Sequence, residues 1–371
     1  MELEFELDIL LHSLDLIRGV PNPRSQNPIH GNILIEADTA ITFSATDSEM
    51  GAQVQVHGIV HEPGSISVPA KRLADLVRNL PDAPINFKVR EGKNQLIITA
   101  DQGKHMISGT SADQFPDIPS LETRQNPIST DSHALQSAIK RTLFAAAGES
   151  YPNIDAIQFM FSPEYTEAIA TNRFMISRAT FDPIADAAAE RESIVIPRKA
   201  INEMLRTFGA SSEMTIWTSG TQVLFSDGSN TLIARLQDSS AFPSVKSFLE
   251  FKFDTYCICE KTKLLNLIRR VSILANPKNN LVVLDISEDE ISAECRTPEL
   301  GESIDSMAIK ECEGSIRIGV SARFMLQALN NIDTETIRVE FDSPEIALII
   351  RSASEDPVDK HDCFILPVTI D

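Results

Sequence analysis

One apolar spacing occurs three times along the chain. A strand-like run ends in Ile66 and Val68, then in Ile194 and Ile196, then in Ile318 and Val320, and each is followed by an apolar stripe. The stripes are Leu73/Leu76/Val77/Leu80, Ile201/Met204/Leu205/Phe208 and Met325/Ala328/Leu329/Ile332, offset by 128 and then 124 positions. Spacing of i, i+3, i+4, i+7 is one face of an α-helix. A first helix repeats more loosely, as Leu7/Leu10/Leu11, Leu135/Ala138/Ile139 and Leu264/Leu267/Ile268. The pattern predicts helices over 8–18, 69–79, 132–147, 197–208, 261–275 and 321–331. Ser132 and Ser321 stand where N-caps belong, and Pro69 and Pro197 at first-turn positions.

Alternating or apolar runs fill the gaps, among them 32–36, 95–99, 157–161, 223–225 and 346–350, and predict antiparallel strands. Each repeat then reads helix, strands, helix, strands. Two amphipathic helices packed on antiparallel sheet is an α+β arrangement. A repeat of about a third of 371 residues selects three repeated domains, 1–121, 122–246 and 247–371. Gln114–Pro119 and Ala241–Ser244 are the expected linkers, because Pro interrupts both helix and inner strand.

Charge changes this picture. The chain carries a net −20, yet the six predicted helices hold 14 of its 33 basic residues and only four of its 53 acidic ones. Lys71, Lys199 and Arg323 coincide in the repeat, as do Arg78, Arg206 and Asn330, and His12, Lys140 and Arg269. At 100° per residue these point away from the apolar stripes. Ser13, Arg141 and Arg270 also coincide, and Arg72 and Arg198 add to the same helices. Lys and Arg decorate the solvent face of any amphipathic helix. Six helices sharing the bias in an acidic chain argue instead for a polyanion held at a defined place.

Helices standing side by side at ~10 Å around a hole set its size. Six from one chain leave a hole of about 9 Å, and twelve from two chains leave about 28 Å, enough for a duplex. The expectation is half of a six-domain ring, closed by edge-strand pairing with a second copy.

The remaining features mainly exclude. No apolar run approaches the ~20 residues of a membrane span, and the acidic start Met-Glu-Leu-Glu-Phe-Glu is unlike a signal peptide, so a cytosolic location is expected. Five cysteines, all in the last third, fit a reducing compartment, with Cys257 and Cys259 as same-face strand residues. Neither a phosphate-binding glycine loop nor a His pair with zinc spacing is present, and Glu288, Asp289 and Glu290 read as a solvated turn. An enzyme is therefore disfavoured, no cofactor or metal is expected, and a nucleic-acid-free scaffold is the competing reading.

Several segments resemble the bacterial sliding clamp family, the β subunit of DNA polymerase III. They are Leu10–Gly19, Asn27–Leu34, Ala45–Met50, Val68–Lys71, Phe115-Pro116, Ala170–Asn172, Ile196–Lys199, Phe242-Pro243 and Phe364–Val368, in order along the whole chain. The resemblance implies a head-to-tail homodimer around double-stranded DNA, loaded by a clamp loader and tethering the DNA polymerase III α subunit and other proteins bearing a clamp-binding motif. It also implies a non-catalytic role, and a specialised paralogue is a second possibility. Arg24 corresponds to a DNA-contacting loop residue. Partner peptides of the family enter an apolar pocket, which here would use Ile154, Thr171, Arg173, Phe174, Met175, Ile176, Pro243, Phe248, Ser321, Phe324, Phe364, Leu366, Pro367 and Val368. The family's usual small residue, His or Tyr, Arg and Leu are replaced by Asn172-Arg173-Phe174-Met175-Ile176. Loss of that Arg, with Phe174 and Phe248 added, predicts a tighter or more apolar pocket.

Overall fold

In the computed structural model of the protein, the residues described are 1–90, 92–118, 128–148, 150–184, 193–209, 211–219, 221–352 and 359–370. Seven α-helices occur among them: α1 (Leu7–Ile17), α2 (Ala70–Val77), α3 (Ser132–Leu143), α4 (Arg198–Thr207), α5 (Lys246–Leu249), α6 (Lys261–Val271) and α7 (Ala322–Asn331). Six are those the apolar stripes predict. The short α5 was not expected, since four residues show no period. No helix among the described residues is long and apolar enough to cross a membrane.

The expected stripes are buried: Leu73 and Val77 in α2, Ile201 and Met204 in α4, Met325, Ala328 and Leu329 in α7. In α1 the buried set is Leu10, Leu14 and Ile17 rather than Leu7 and Leu11. The helix starts differ from expectation. Pro69 and Pro197 end the strands Gly64–Pro69 and Ser193–Pro197, one residue before the helices begin, and the Ser321 side chain makes no capping hydrogen bond. A proline at a strand's last residue gives up no ladder bond while fixing φ for the turn into the helix.

The strands form two compact units. One comprises Met1–His133 with Lys199–Leu236, the other Ala134–Arg198 with Gln237–Asp371. The first holds a five-stranded sheet, in the order Ile59–Glu62, Glu2–Phe5, Ile85–Val89, Gln95–Ala100, Gly103–Ser108. It also holds an eight-stranded sheet, in which Met50–Val56 of the first repeat pairs with Asn230–Arg235 of the second. The other unit contains a four-stranded sheet with Gly301–Ala308 at one edge, and a nine-stranded sheet. In the latter Met175–Phe181 of the second repeat pairs with His361–Ile365 of the third. Sheets therefore run on through the repeat boundaries. Each join gives two strand edges hydrogen-bonded partners that an isolated repeat would leave open.

Across the nine-stranded sheet runs a chain of ion pairs. Glu167, Arg178, Asp362, Arg351, Glu340 and Arg338 lie on five neighbouring strands. Asp362 receives Arg178 at 3.3 Å and Arg351 at 2.8 Å, and Glu340 receives Arg351 at 2.8 Å and Arg338 at 2.9 Å. The carboxylates are almost out of water, Asp362 at 3% exposure and Glu340 at 9%.

Behind the same sheet His361 is buried against α3. The Ser177 hydroxyl donates to the Arg141 carbonyl oxygen at 2.7 Å, so the 3.0 Å contact between Ser177 Oγ and His361 Nε2 assigns the imidazole proton to Nε2. Nδ1 has no partner among the described residues. Burial, reinforced by the Arg141 charge, holds the imidazole pKa down to about 4. The unfolded chain takes up this proton near pH 6.5 and the folded chain only near 4. Stability from this group is therefore complete above pH 6.5 and falls away as pH drops toward 4, by roughly 3 kcal/mol in all. Urea midpoints at pH 7 and pH 5 should differ accordingly, and His361→Gln should remove that part of the acid sensitivity.

Candidate functional site

The helices present most of the predicted basic positions to solvent, but not all. Lys71 and Arg72 on α2, Arg78 at its C-cap, Lys140 on α3, Lys199 on α4, Arg269 and Arg270 on α6, Arg323 on α7 and the loop residue Arg24 are exposed. Several carry partners. Lys199 reaches Asp47 at 2.5 Å, Arg78 reaches Asp75 at 3.3 Å and Arg270 reaches Asp305 at 2.6 Å. Arg269 donates to Asn330 and Arg323 lies over the Phe324 ring. Arg24, Lys71, Arg72 and Lys140 hold no ion pair among the described residues.

Three predicted positions are turned into the fold instead. Arg141, 19% exposed, is clamped by Asp333 at 3.0 Å and Asp359 at 2.6 Å. Arg198 binds Asp155 and donates to the Ala146 carbonyl oxygen. Arg206 is held at 2.5 Å by Glu203, whose carboxylate is only 5% exposed. Arg198 and Arg206, engaged by carboxylates that are largely out of water, have little left to offer a phosphate, because releasing them strands the buried charge, whereas Arg141 is held by two carboxylates that are themselves exposed. The Glu203–Arg206 spacing of i, i+3 was legible beforehand as an intrahelical pair.

A pocket assembled from three segments lies among some of the residues expected to form one. A cavity of about 240 Å³ is lined by Thr171, Arg173, Met175, Ile176, Pro243, Ser244, Val245, Phe248, Phe364 and Leu366. Ile176 and Phe364 face each other across paired strands, and α5 brings Phe248 over them. Seven of the ten lining residues are apolar, which makes the cavity suited to an apolar anchor rather than to a charged one. Thr171 and Asn172 shape the turn: the Arg173 N–H donates to Thr171 Oγ1 and the Phe174 and Met175 N–H groups to Asn172 Oδ1. Arg173 takes φ +78° there and enters the lining, so it offsets the polarity expected to vanish with the family's arginine.

Several expected pocket residues lie elsewhere. Phe174, 57% exposed, stacks on Phe324 with ring centroids 5.8 Å apart, outside the cavity. Ile154 belongs to a separate buried cluster with Ala156, Val195 and Phe242, and Ser321 is buried ahead of α7. Pro367 and Val368 continue past the cavity. The Val368 N–H donates to the Gly319 carbonyl oxygen at 2.8 Å, and a Cβ at Gly319 would sit 2.3 Å from the Val368 carbonyl oxygen. Only glycine lets this tail lie so close. Ser244 and Val245 also line the pocket and are not among the expected residues; Ser244 carried only the signal of a linker, and Val245 none.

Comparison with known proteins agrees with this architecture along its length. The sequence matches the DNA polymerase III beta subunit N-terminal domain over residues 1–119, the central domain over 129–244 and the C-terminal domain over 247–367. The beta sliding clamp of Staphylococcus aureus is 24% identical over 383 aligned positions, covering 99% of each chain. That of Synechococcus elongatus is 23% identical, covering 89% of this chain and 90% of its own. The fold matches the DNA polymerase sliding clamp of Bacillus subtilis with a TM-score of 0.91 at 24% identity, and the DNA polymerase III subunit beta of Pseudomonas aeruginosa with 0.90 at 23%, each over the whole of both chains. With all three consecutive domains matched in order over most of its length, the chain belongs to the DNA polymerase III beta subunit family.

Proposed function

We propose that the chain is a DNA sliding clamp. It is a non-catalytic processivity factor that pairs head to tail with a second copy, encircles double-stranded DNA and tethers DNA polymerase III and other partners to it. The observation that carries this reading is the recurrence of exposed cations at equivalent helix positions, Lys71, Lys199 and Arg323 with Lys140 and Arg269, in a family member of net charge −20. A ring that slides requires contacts to phosphates without base readout, which such side chains supply. The acidic remainder discourages binding anywhere else on the surface.

Closure of the ring is supported by two open sheet edges. Gly103–Ser108 and Gly301–Ala308 are edge strands, and apolar side chains stand exposed on or beside them: Met106 at 60%, Ile304 at 59%, Leu300 at 48% and Ile273 at 76%. Ile273 lies in the short 3₁₀ turn Ser272–Leu274, which packs on Gly301–Ala308. One edge of each kind per copy suits a closed dimer with two identical joints. The apolar pocket lined by Ile176, Phe248, Phe364 and Leu366 is the proposed seat of partner peptides. A tethered polymerase rebinds the primer end intramolecularly, which is the origin of processivity. The proposed place of action is the cytoplasm.

Linearisation tests the function. Protein loaded onto nicked circular DNA by a clamp loader should co-elute with it and be released when a restriction enzyme opens the circle. Retention on the linear product, or failure to be retained on the circle, would remove the clamp reading.

A further inference from the structure

The apolar pocket has a neighbour on the same sheet face. Arg178 lies two residues along its strand from Ile176, Asp362 two from Phe364, and Arg351 two from Ile349. Each i, i+2 step keeps the face and advances about 7 Å. At these positions the structure opens a second cavity, of about 690 Å³, which holds the arginines of the ion-pair chain. The segment that walls the pocket with Val245 and Phe248 continues as a wall of this cavity with Leu249, Phe251 and Phe253, and Phe248 meets Phe251 edge to face at 5.6 Å.

The second cavity is cationic in an acidic protein. Arg178, Lys252, Arg338, Arg351 and Lys360 face the carboxylates of Glu340 and Asp362, with Glu167 paired behind Arg178. Two positive charges are left over. The arginines are fixed by their carboxylates, while the Lys252 and Lys360 ammonium groups have no partner among the described residues. Arg178 Nε is buried with no acceptor. The two free ammonium groups, beside a network of guanidiniums and carboxylates that is neutral in itself, suit a carboxylate-bearing ligand.

We propose that this cavity receives acidic residues flanking the apolar anchor of a partner peptide, so that anchor and flank are read side by side on one sheet face. The proposal rests on the pocket's being the partner-peptide seat, and commits to an acidic peptide because the cavity continues that pocket under a common wall. Electrostatic complementarity of this partly exposed kind is salt-dependent and worth several-fold in affinity.

Fluorescent peptides that share one apolar anchor, with and without four glutamates added at either end, provide the test, titrated into the full chain. The anchor-only peptide reports on the pocket by itself. With one of the two extensions, binding should strengthen about three- to tenfold at low salt, and the gain should disappear at high salt. It should also disappear in Lys252→Ala/Lys360→Ala, with anchor-only affinity unchanged. No gain from either extension, or a gain that survives in the double variant, would overturn the proposal. Equal competition by free tetraglutamate would overturn it too, since that marks an anion site independent of the anchor.

Discussion

A chain carrying Ile273→Asp and Ile304→Asp is expected to be a folded monomer that is not retained on circular DNA. Both side chains are more than half exposed, at 76% and 59%, so their removal takes nothing from the core of the free chain. In the closed ring they would be covered by the Gly103–Ser108 edge of the other copy, where Met106 stands out at 60% exposure. A standard interface buries about 800 Å² per partner, and a few central apolar residues dominate its energy at ~2 kcal/mol or more each. Aspartates there also bring charges into a joint that excludes water, in a chain already at −20. Two such losses at each of two joints weaken dimerisation by well over a thousandfold on the same scale. Mass measurement at micromolar protein should give the single-chain value, with an unchanged circular-dichroism spectrum. A double variant that stays dimeric would show that closure uses other surfaces.

Arg178→Met should destabilise the fold strongly. Methionine matches the length of the aliphatic stem but leaves Glu167 and Asp362 facing each other's charge at 12% and 3% exposure. Breaking a buried pair by removing one member typically costs about 3–5 kcal/mol, because the stranded charge keeps its desolvation penalty without its partner. Asp362 retains Arg351, so the effect should lie nearer the lower figure. The urea unfolding midpoint measures it. Adding Glu167→Gln to Arg178→Met should recover part of the loss, whereas a loss unaffected by that second change would mean that Arg178 acts through packing alone.

Much of the fold was legible before any coordinates. The α2, α4 and α7 stripes and the antiparallel runs between them follow from local spacing, and the structure buries Leu73, Ile201 and Met325 as that spacing requires. Cys257 and Cys259 are buried together on one strand as their alternation implies. A pocket was expected only through the resemblance. Of its expected residues, Phe174 and Phe324 instead stack on each other outside it, and Ser244 and Val245 were absent from the expectation. Nothing in a Pro-containing linker says which of its residues will fold back over a sheet.

The sequence by itself determined that there are three repeats, that each has two amphipathic helices, and that cations collect on those helices in an acidic chain. These are local properties, set by side chains within a turn or two of one another. Only the tertiary structure decided which cations remain free. Lys140 and Arg141 are adjacent in sequence, yet Lys140 faces solvent while Arg141 is clamped by Asp333 and Asp359, 192 and 218 positions away. The same holds for the pocket and the cationic cavity, whose walls come from strands and a connector brought together by pairing between Met175–Phe181 and His361–Ile365. Periodicity reports which face of an element is buried; it carries no record of what that face will meet, because the partner is chosen by folding across nearly the whole chain.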